Sequence, residues 1–154
     1  MNPSSNQLEN NLTADVEAVA FHEAGHAVVA LALGCVIHHV AITPRCGEQW
    51  LGELRVTYSK DKIRAATQRT MVPLGGSIAQ IRAFPNSPRG DDVDLRIAHD
   101  AAVYLASNPR RFIEMMQLRT RKLIDRHWGA VEVVADALIS RRRLSDKELA
   151  EILC

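Results

Sequence analysis

Three residues break an otherwise apolar stretch, AFHEAGHAVVALALG, that runs from Ala20 to Gly34: His22, Glu23 and His26. Apolar positions Val16, Val19, Ala20, Ala24, Ala27, Val28 and Leu31 recur at helical spacing, and Gly34 suits a C-terminal stop. On a helix, residues four apart share one face, one turn above the other. His22 and His26 therefore present imidazole nitrogens to a single point, the geometry that two zinc ligands need at about 2.0–2.1 Å each. Glu23 projects from the adjacent face. There it reaches a metal-bound water without ligating the metal, takes its proton and later passes it to a departing amine. This is the H-E-x-x-H pattern, and the mechanism explains the spacing. The competing reading is a hydrogen-bonded core pair without metal. Left unpaired on a core-facing helix, these groups would cost on the order of several kcal/mol, which a metal removes. Gly25 lies between them. Glycine inside a helix costs roughly 1 kcal/mol against alanine, so close approach of another segment is expected there.

A catalytic zinc keeps three protein ligands and one open position. The third ligand must come from elsewhere, and the residue types leave it open among His38, His39, His99, His127, Cys35 and the acidic group Asp91, Asp92 and Asp94. His38 and His39 follow the helix closely, and its rise carries them past the site unless the chain folds back. The aspartates precede or open a helix, where at least one serves as an N-cap.

The elements that must position these residues read as follows. The first dozen residues are polar and expected to form a disordered tail, 1–13, with Thr13 capping the first helix. VIHHVAITP and LGELRVTY read as two strands joined by the loop RCGEQW. Ser59 opens a second helix, which Pro73 and Gly75-Gly76 should kink or interrupt. A Pro- and Gly-containing loop leads to a helix reaching about Ala106. Asn108-Pro109 starts another, ending near Gly129. AVEVVADALISRR is a further helix, and Ser145 with Glu148 forms a capping box for the last. The expected fold is mainly α, one helical domain over 14–154 with a small β-hairpin.

Bulk properties narrow the class. The chain has 154 residues, enough for one buried core, and 47% hydrophobic with 24% charged residues is ordinary for a soluble globular domain. Aromatics are only 5%, so aliphatic side chains must build the core. A net charge of +1 projects no large field toward nucleic acid or membrane. Cys35, Cys46 and Cys154 form no disulfide framework, which fits a reducing, cytoplasmic setting. No secretory leader, lipidation motif or membrane-spanning run is seen. Arg110, Arg111, Arg119, Arg121, Lys122 and Arg126 crowd one helix, and Arg141 to Arg143 follow. Such a patch suits phosphates, but it is more often a solvated face or a surface for an acidic partner, and no nucleic-acid-reading motif accompanies it.

In their order along the chain, four motifs resemble the zinc peptidase domain of the FtsH family, the membrane-bound ATP-dependent AAA proteases. AFHEAGHAVV resembles the family's zinc helix, HHVAITPR with LGELRV its following strands, VPLGGSIAQ its Gly-Gly helix, and DDVDLRIAHDAAVYL the segment that supplies an aspartate ligand. The closing VADALISRRRLSDKELAEIL has the family's rhythm, so the resemblance covers roughly residues 14 to 154. It implies zinc bound by His22, His26 and Asp94, with Glu23 as catalytic base. Asp94 is implied by the Leu-x-x-Ala step that follows it, Leu95 and Ala98. The chain departs from the family in three ways: it holds no G-x-x-x-x-G-K-[ST] nucleotide loop, no transmembrane anchor, and, where the family usually has Gly-Gly-Arg followed by Ala-Glu, it has Ser77 after Gly76 and Gln80 where the glutamate falls.

The expected function is a standalone zinc metalloendopeptidase acting on peptides or unfolded protein segments, with a partner ATPase in trans as the one further partner and no membrane. The alternative is a non-catalytic module that retains the metal or only the fold. The intact Glu23 argues for catalysis.

Overall fold

The computed structural model describes residues 5–45, 49–88 and 92–154. Among the described residues, six helices and three strands follow in the order α1 (Ser5–Ala32), β1 (Val36–Arg45), β2 (Gln49–Thr57), α2 (Lys62–Ala83), α3 (Asp92–Leu105), α4 (Pro109–Arg126), α5 (Trp128–Arg141), β3 (Arg143–Ser145) and α6 (Asp146–Leu153). The protein is mainly helical with one small antiparallel sheet.

Helix α1 is the axis of the fold. It packs against α2, α5, α4 and both long strands. It begins at Ser5, so Thr13 lies inside the helix and the expected tail is helical from Ser5 onward. Leu8 and Leu12 precede Val16 at four-residue spacing, and neither proline nor glycine intervenes, so nothing in the sequence stops the helix at Thr13. Its far end closes at Gly34. The residue takes a positive φ of 73°, and Cys35 N–H donates to the Ala30 carbonyl at 2.9 Å.

Strand β1 is central in a sheet ordered β2-β1-β3. Val40 and Ile42 are fully buried. The pairing with β2 slips between Ile37 and His39, leaving His38 as the bulged residue. Strand β3 was not expected. Three residues are too few for periodicity to show, and what places them is Arg142, whose φ of 67° turns the chain back onto β1.

Helix α2 is capped by Asp61, not Ser59. The Asp61 carboxylate accepts from Arg64 N–H at 2.8 Å, while the Ser59 hydroxyl accepts from Asp61 N–H. The helix continues without interruption through Pro73, Gly75 and Gly76. These glycines are contact residues rather than breaks. The backbones of α1 and α2 cross at Gly25 and Gly75. A first side-chain carbon at Gly75 would lie 2.7 Å from the Gly25 carbonyl oxygen, and one at Gly25 would collide with the Gly75 carbonyl. The close approach expected at Gly25 is thus met by α2.

Asn108 and Pro109 start α4, which ends at Arg126. The next helix starts at Trp128, just ahead of Gly129, and its buried stripe is Val131, Val134, Ala135 and Leu138. Ser145 and Glu148 form the expected capping box of α6. Trp128 stacks on Phe21 at 5.7 Å between centroids, and the Arg82 guanidinium covers its other surroundings at 4.2 Å. No helix among the described residues is long and apolar enough to cross a membrane.

The crossing sets a test of sign. Helix propensity alone favours Gly25→Ala by about 1 kcal/mol. Overpacking against a backbone carbonyl opposes it with about 1–3 kcal/mol or more. Urea unfolding is expected to show a net loss of roughly 2 kcal/mol; a gain in stability would contradict so close a crossing.

Candidate metal centre

His22, Glu23 and His26 occupy the inward face of α1, two turns from the Gly34 end. His26 and Glu23 are buried and His22 keeps 12% of its side chain exposed. One donor atom from each of the three lies within 4.8 Å of the others. Asp94, in the first turn of α3, reaches the same point from outside α1. Its Oδ2 lies 3.0 Å from His22 Nε2 and 3.4 Å from His26 Nε2. The structure therefore brings together His22, His26 and Asp94, with Glu23 alongside. It does not bring the other candidates. His38 bonds Thr57, His39 bonds Glu53, His99 is solvent-exposed beside Asp100, His127 caps α4, and Cys35 is buried near Arg64. Asp92 is exposed at the start of α3. Asp91 and Cys46 lie outside the described residues.

The tautomers follow from the partners of Nδ1. His26 Nδ1 lies 2.8 Å from the Val72 carbonyl, which can only accept, so Nδ1 carries the proton. His22 Nδ1 lies 2.9 Å from Gln80 Oε1. The Gln80 amide nitrogen donates to the Ser87 hydroxyl at 2.8 Å and the Pro88 carbonyl at 3.0 Å. Because the Pro88 carbonyl can only accept, the amide is oriented and its oxygen receives the His22 proton. In both neutral imidazoles the remaining lone pair, on Nε2, then points at the Asp94 carboxylate. Asp94 Oδ2 lies 3.0 Å and 3.4 Å from these two electron-rich nitrogens. Such a group needs a positive charge at its centre: protons or a cation.

The donor set fits a zinc ion. Tetrahedral ligands about 2.0–2.1 Å from zinc stand roughly 3.3 Å apart, close to the two separations seen. The surroundings leave that room. A first side-chain carbon at Gly76 would lie 2.5 Å from His22 Nε2 and 2.6 Å from His26 Nε2, so only glycine leaves the nitrogens uncovered. Neutral imidazoles and one carboxylate are ordinary zinc donors, and each imidazole has the outer hydrogen-bond partner typical of a ligand.

Without metal, protons serve instead. Burial pushes His26 down, but its hydrogen bond to Asp94 and the charges of Glu23 and Asp94 outweigh this, raising it to about 9. For Asp94 burial acts upward, yet the hydrogen bonds from His22 and His26 hold it well below the usual carboxylate range. Burial raises Glu23, against the lowering effect of the two histidines.

The cleft beside the site has a volume of about 600 Å³. Its walls include Trp50, Leu54, Val56 and Tyr58 on one side and Ser87, Pro88 and Ile97 on the other. Strand β2 crosses directly over Glu23, because any side chain at Gly52 would collide with the Glu23 carboxylate. Sequence reasoning missed the roles of Gly52, Gly76 and the Val72 carbonyl. The available signal for Gly76 is its pairing with Gly75 inside a helix, which reads as a kink or interruption where the structure has close contact. In comparison with known proteins, no family model and no curated protein matches this chain.

Two outcomes test the cluster. His26 is raised above its ordinary 6.5, so its contribution to the metal-free protein is full below about pH 6.5 and lost as pH climbs through about 9. Glu23, also raised, acts in the same direction above pH 4.5. The Tm of the protein in chelator is therefore expected to fall from pH 6.5 to 9, while zinc affinity rises over that window because ligation must displace the proton. A chelator-treated Tm that is flat or rises would contradict the cluster. Gly76→Ala places a methyl group against both Nε2 atoms. It should lower zinc affinity at least about 100-fold, measured by chelator competition, since neither ligand can keep its position; wild-type affinity would show that the nitrogens do not face Gly76.

Proposed function

We propose that this chain is a zinc-dependent metalloendopeptidase acting on extended peptide segments. The observation that carries the reading is Asp94 Oδ2 set 3.0 Å from His22 Nε2 and 3.4 Å from His26 Nε2, with the Glu23 carboxylate buried beside them at the floor of a cleft. The ordered resemblance to the FtsH peptidase domain supports the same reading. Zinc held by these residues would supply Lewis-acid polarisation of the scissile carbonyl and acidify the attacking water.

The chain's own residues account for the rest. His22 and His26 are held by Gln80 and Val72 so that Nε2 of each is free for ligation. Asp94 contributes one negative charge, leaving net positive charge to polarise a substrate. Glu23, buried beside the donors and bordering the cleft, is the general base that takes a proton from water and returns it to the leaving amine. Gly52 lets β2 pass close over that carboxylate. Among the described residues β2 pairs only with β1, so its outer edge offers unpaired backbone groups alongside the cleft. An extended peptide can add to that edge and lay its backbone across Glu23. Trp50, Leu54 and Val56 then meet alternate side chains of the substrate.

Such a cleft takes extended chain. Folded proteins must be opened first, by their own fluctuation or by a partner ATPase acting in trans. The free thiols of Cys35 and Cys154 suit a reducing, cytoplasmic setting.

Cleavage of casein by purified, zinc-loaded protein tests the reading. Glu23→Gln should retain zinc and lose at least about 100-fold in rate, since only the base is removed. Asp94→Ala should lose both zinc and cleavage. Zinc binding without cleavage in the wild type would instead mark a metal-retaining binding module. Equal cleavage by wild type and Glu23→Gln would sink the mechanism.

A further inference from the structure

Gln80 stands one helical turn beyond Gly76 on α2 and faces the His22 ring. All of its amide capacity that the structure describes is spent locally. Its oxygen accepts from His22 Nδ1 at 2.9 Å, and its nitrogen donates to the Ser87 hydroxyl at 2.8 Å and to the Pro88 carbonyl at 3.0 Å. The two ends of this amide serve different parts of the cleft. Ser87 and Pro88 form part of its wall, in the turn that leads from α2 toward α3. His22 is on its floor.

We propose that Gln80 is a positioning residue with two functions: its amide oxygen fixes the His22 ring with Nε2 free for the metal, and its amide nitrogen fastens the Ser87–Pro88 wall to that ring. The proposal rests on the metal-centre reading and deepens it. A carboxylate in this place would satisfy His22 equally well. It could not satisfy Pro88, whose carbonyl would then face a second acceptor. An amide meets a donor on one side and the Pro88 carbonyl, which can only accept, on the other. The pairing also leaves Asp94 as the one anionic ligand, with no second carboxylate behind His22 to offset the metal's charge. Ligation at His22 and the position of the cleft wall are thereby mechanically joined.

Two variants separate the functions, each expressed as the full chain. Gln80→Glu keeps the acceptor for His22 and loses both donors to the wall. Gln80→Met loses both. Zinc affinity is read by chelator competition, and wall order by backbone hydrogen exchange over residues 84–88, where Ser87 N–H donates to the Phe84 carbonyl at 3.0 Å. Gln80→Met is expected to weaken zinc binding about 10–100-fold, the usual consequence of removing a ligand's outer partner. Gln80→Glu is expected to hold zinc within about threefold of wild type, while exchange at Ser87 accelerates at least about tenfold. Thermal melts of the metal-free variants show that each is folded. If Gln80→Met fails to fold, Gln80→Glu decides alone: zinc retained with accelerated exchange supports the proposal, and zinc lost overturns it. Wild-type affinity in Gln80→Met, or unchanged Ser87 exchange in Gln80→Glu, overturns it as well. A wild-type protein that binds no zinc would overturn the metal-centre reading itself, a different result from either.

Discussion

The close crossing of α1 and α2 is the constraint on which the rest of the structure depends. Two helices with side chains at their contact stand about 8–10 Å apart. Here Gly25 and Gly75 let the backbones approach until a single added carbon would strike the opposite carbonyl. That approach brings the Val72 carbonyl within 2.8 Å of His26 and Gln80 within 2.9 Å of His22. It also places Gly76 against the two Nε2 atoms. With larger residues at the crossing, α2 would stand back, both imidazoles would lose their partners on the Nδ1 side, and Nε2 would have no fixed direction. The glycines are expensive in a helix, roughly 1 kcal/mol each. Their cost is offset by contacts that no other residue permits.

The second constraint is electrostatic. Nδ1 of each imidazole is committed to an acceptor, so the lone pairs and the Asp94 carboxylate are forced to face one another. In a core they repel unless a cation lies among them. Metal-free, the cluster takes up protons, which is why His26 is raised to about 9 despite its burial. Asp94 sits in the first turn of α3, where the helix N-terminus favours the ionised carboxylate. Histidine orientation, carboxylate ionisation and the vacancy left by Gly76 all favour a compact cation at the same point.

Much of this was legible in the sequence because it is local. The periodic apolar face of α1, the i, i+4 histidines, the Gly34 stop, the Asn108-Pro109 start and the Ser145–Glu148 box are each determined within a few residues. The reading of Asp94 came by resemblance, and the structure places that residue against both histidines. What was not legible depends on partners distant in the chain. Ser59 looked like a cap and Asp61 is one, because hydroxyl and carboxylate compete for nearby N–H groups and spacing alone cannot choose. Pro73 and the glycine pair looked like a break in α2. Packing against α1 holds the helix through them, a tertiary contact that local propensity does not contain. Strand β3 exists only because Arg142 turns the chain onto β1. The Gln80 amide was visible merely as a departure from a resembled pattern, since its three partners come from a helix 58 residues earlier and a turn seven and eight residues later.

The violations of local rules are not scattered. Glycine in helix interiors, proline in the fourth turn of a long helix, histidines and a glutamate on a buried face, and glycine within a strand occur at Gly25, Gly75, Gly76, Pro73, His22, Glu23, His26 and Gly52. These positions either belong to the cleft, line it or set the crossing beneath it. Elsewhere caps and stripes agree with propensity, and the exception is the turn at Arg142, whose φ is 67°. A sequence selected for stability alone would have no reason to concentrate its exceptions at one place, whereas a site that must hold convergent donors and a buried base requires these residue types there. Gly52 makes the point most sharply. The Glu23 carboxylate would be satisfied by retreating into solvent or by a neighbouring donor, yet the fold sets a strand over it and omits the side chain at the point of contact. The carboxylate is thereby shielded from water, which raises its pKa, and still borders the cleft, the two conditions that its proposed role as general base requires together.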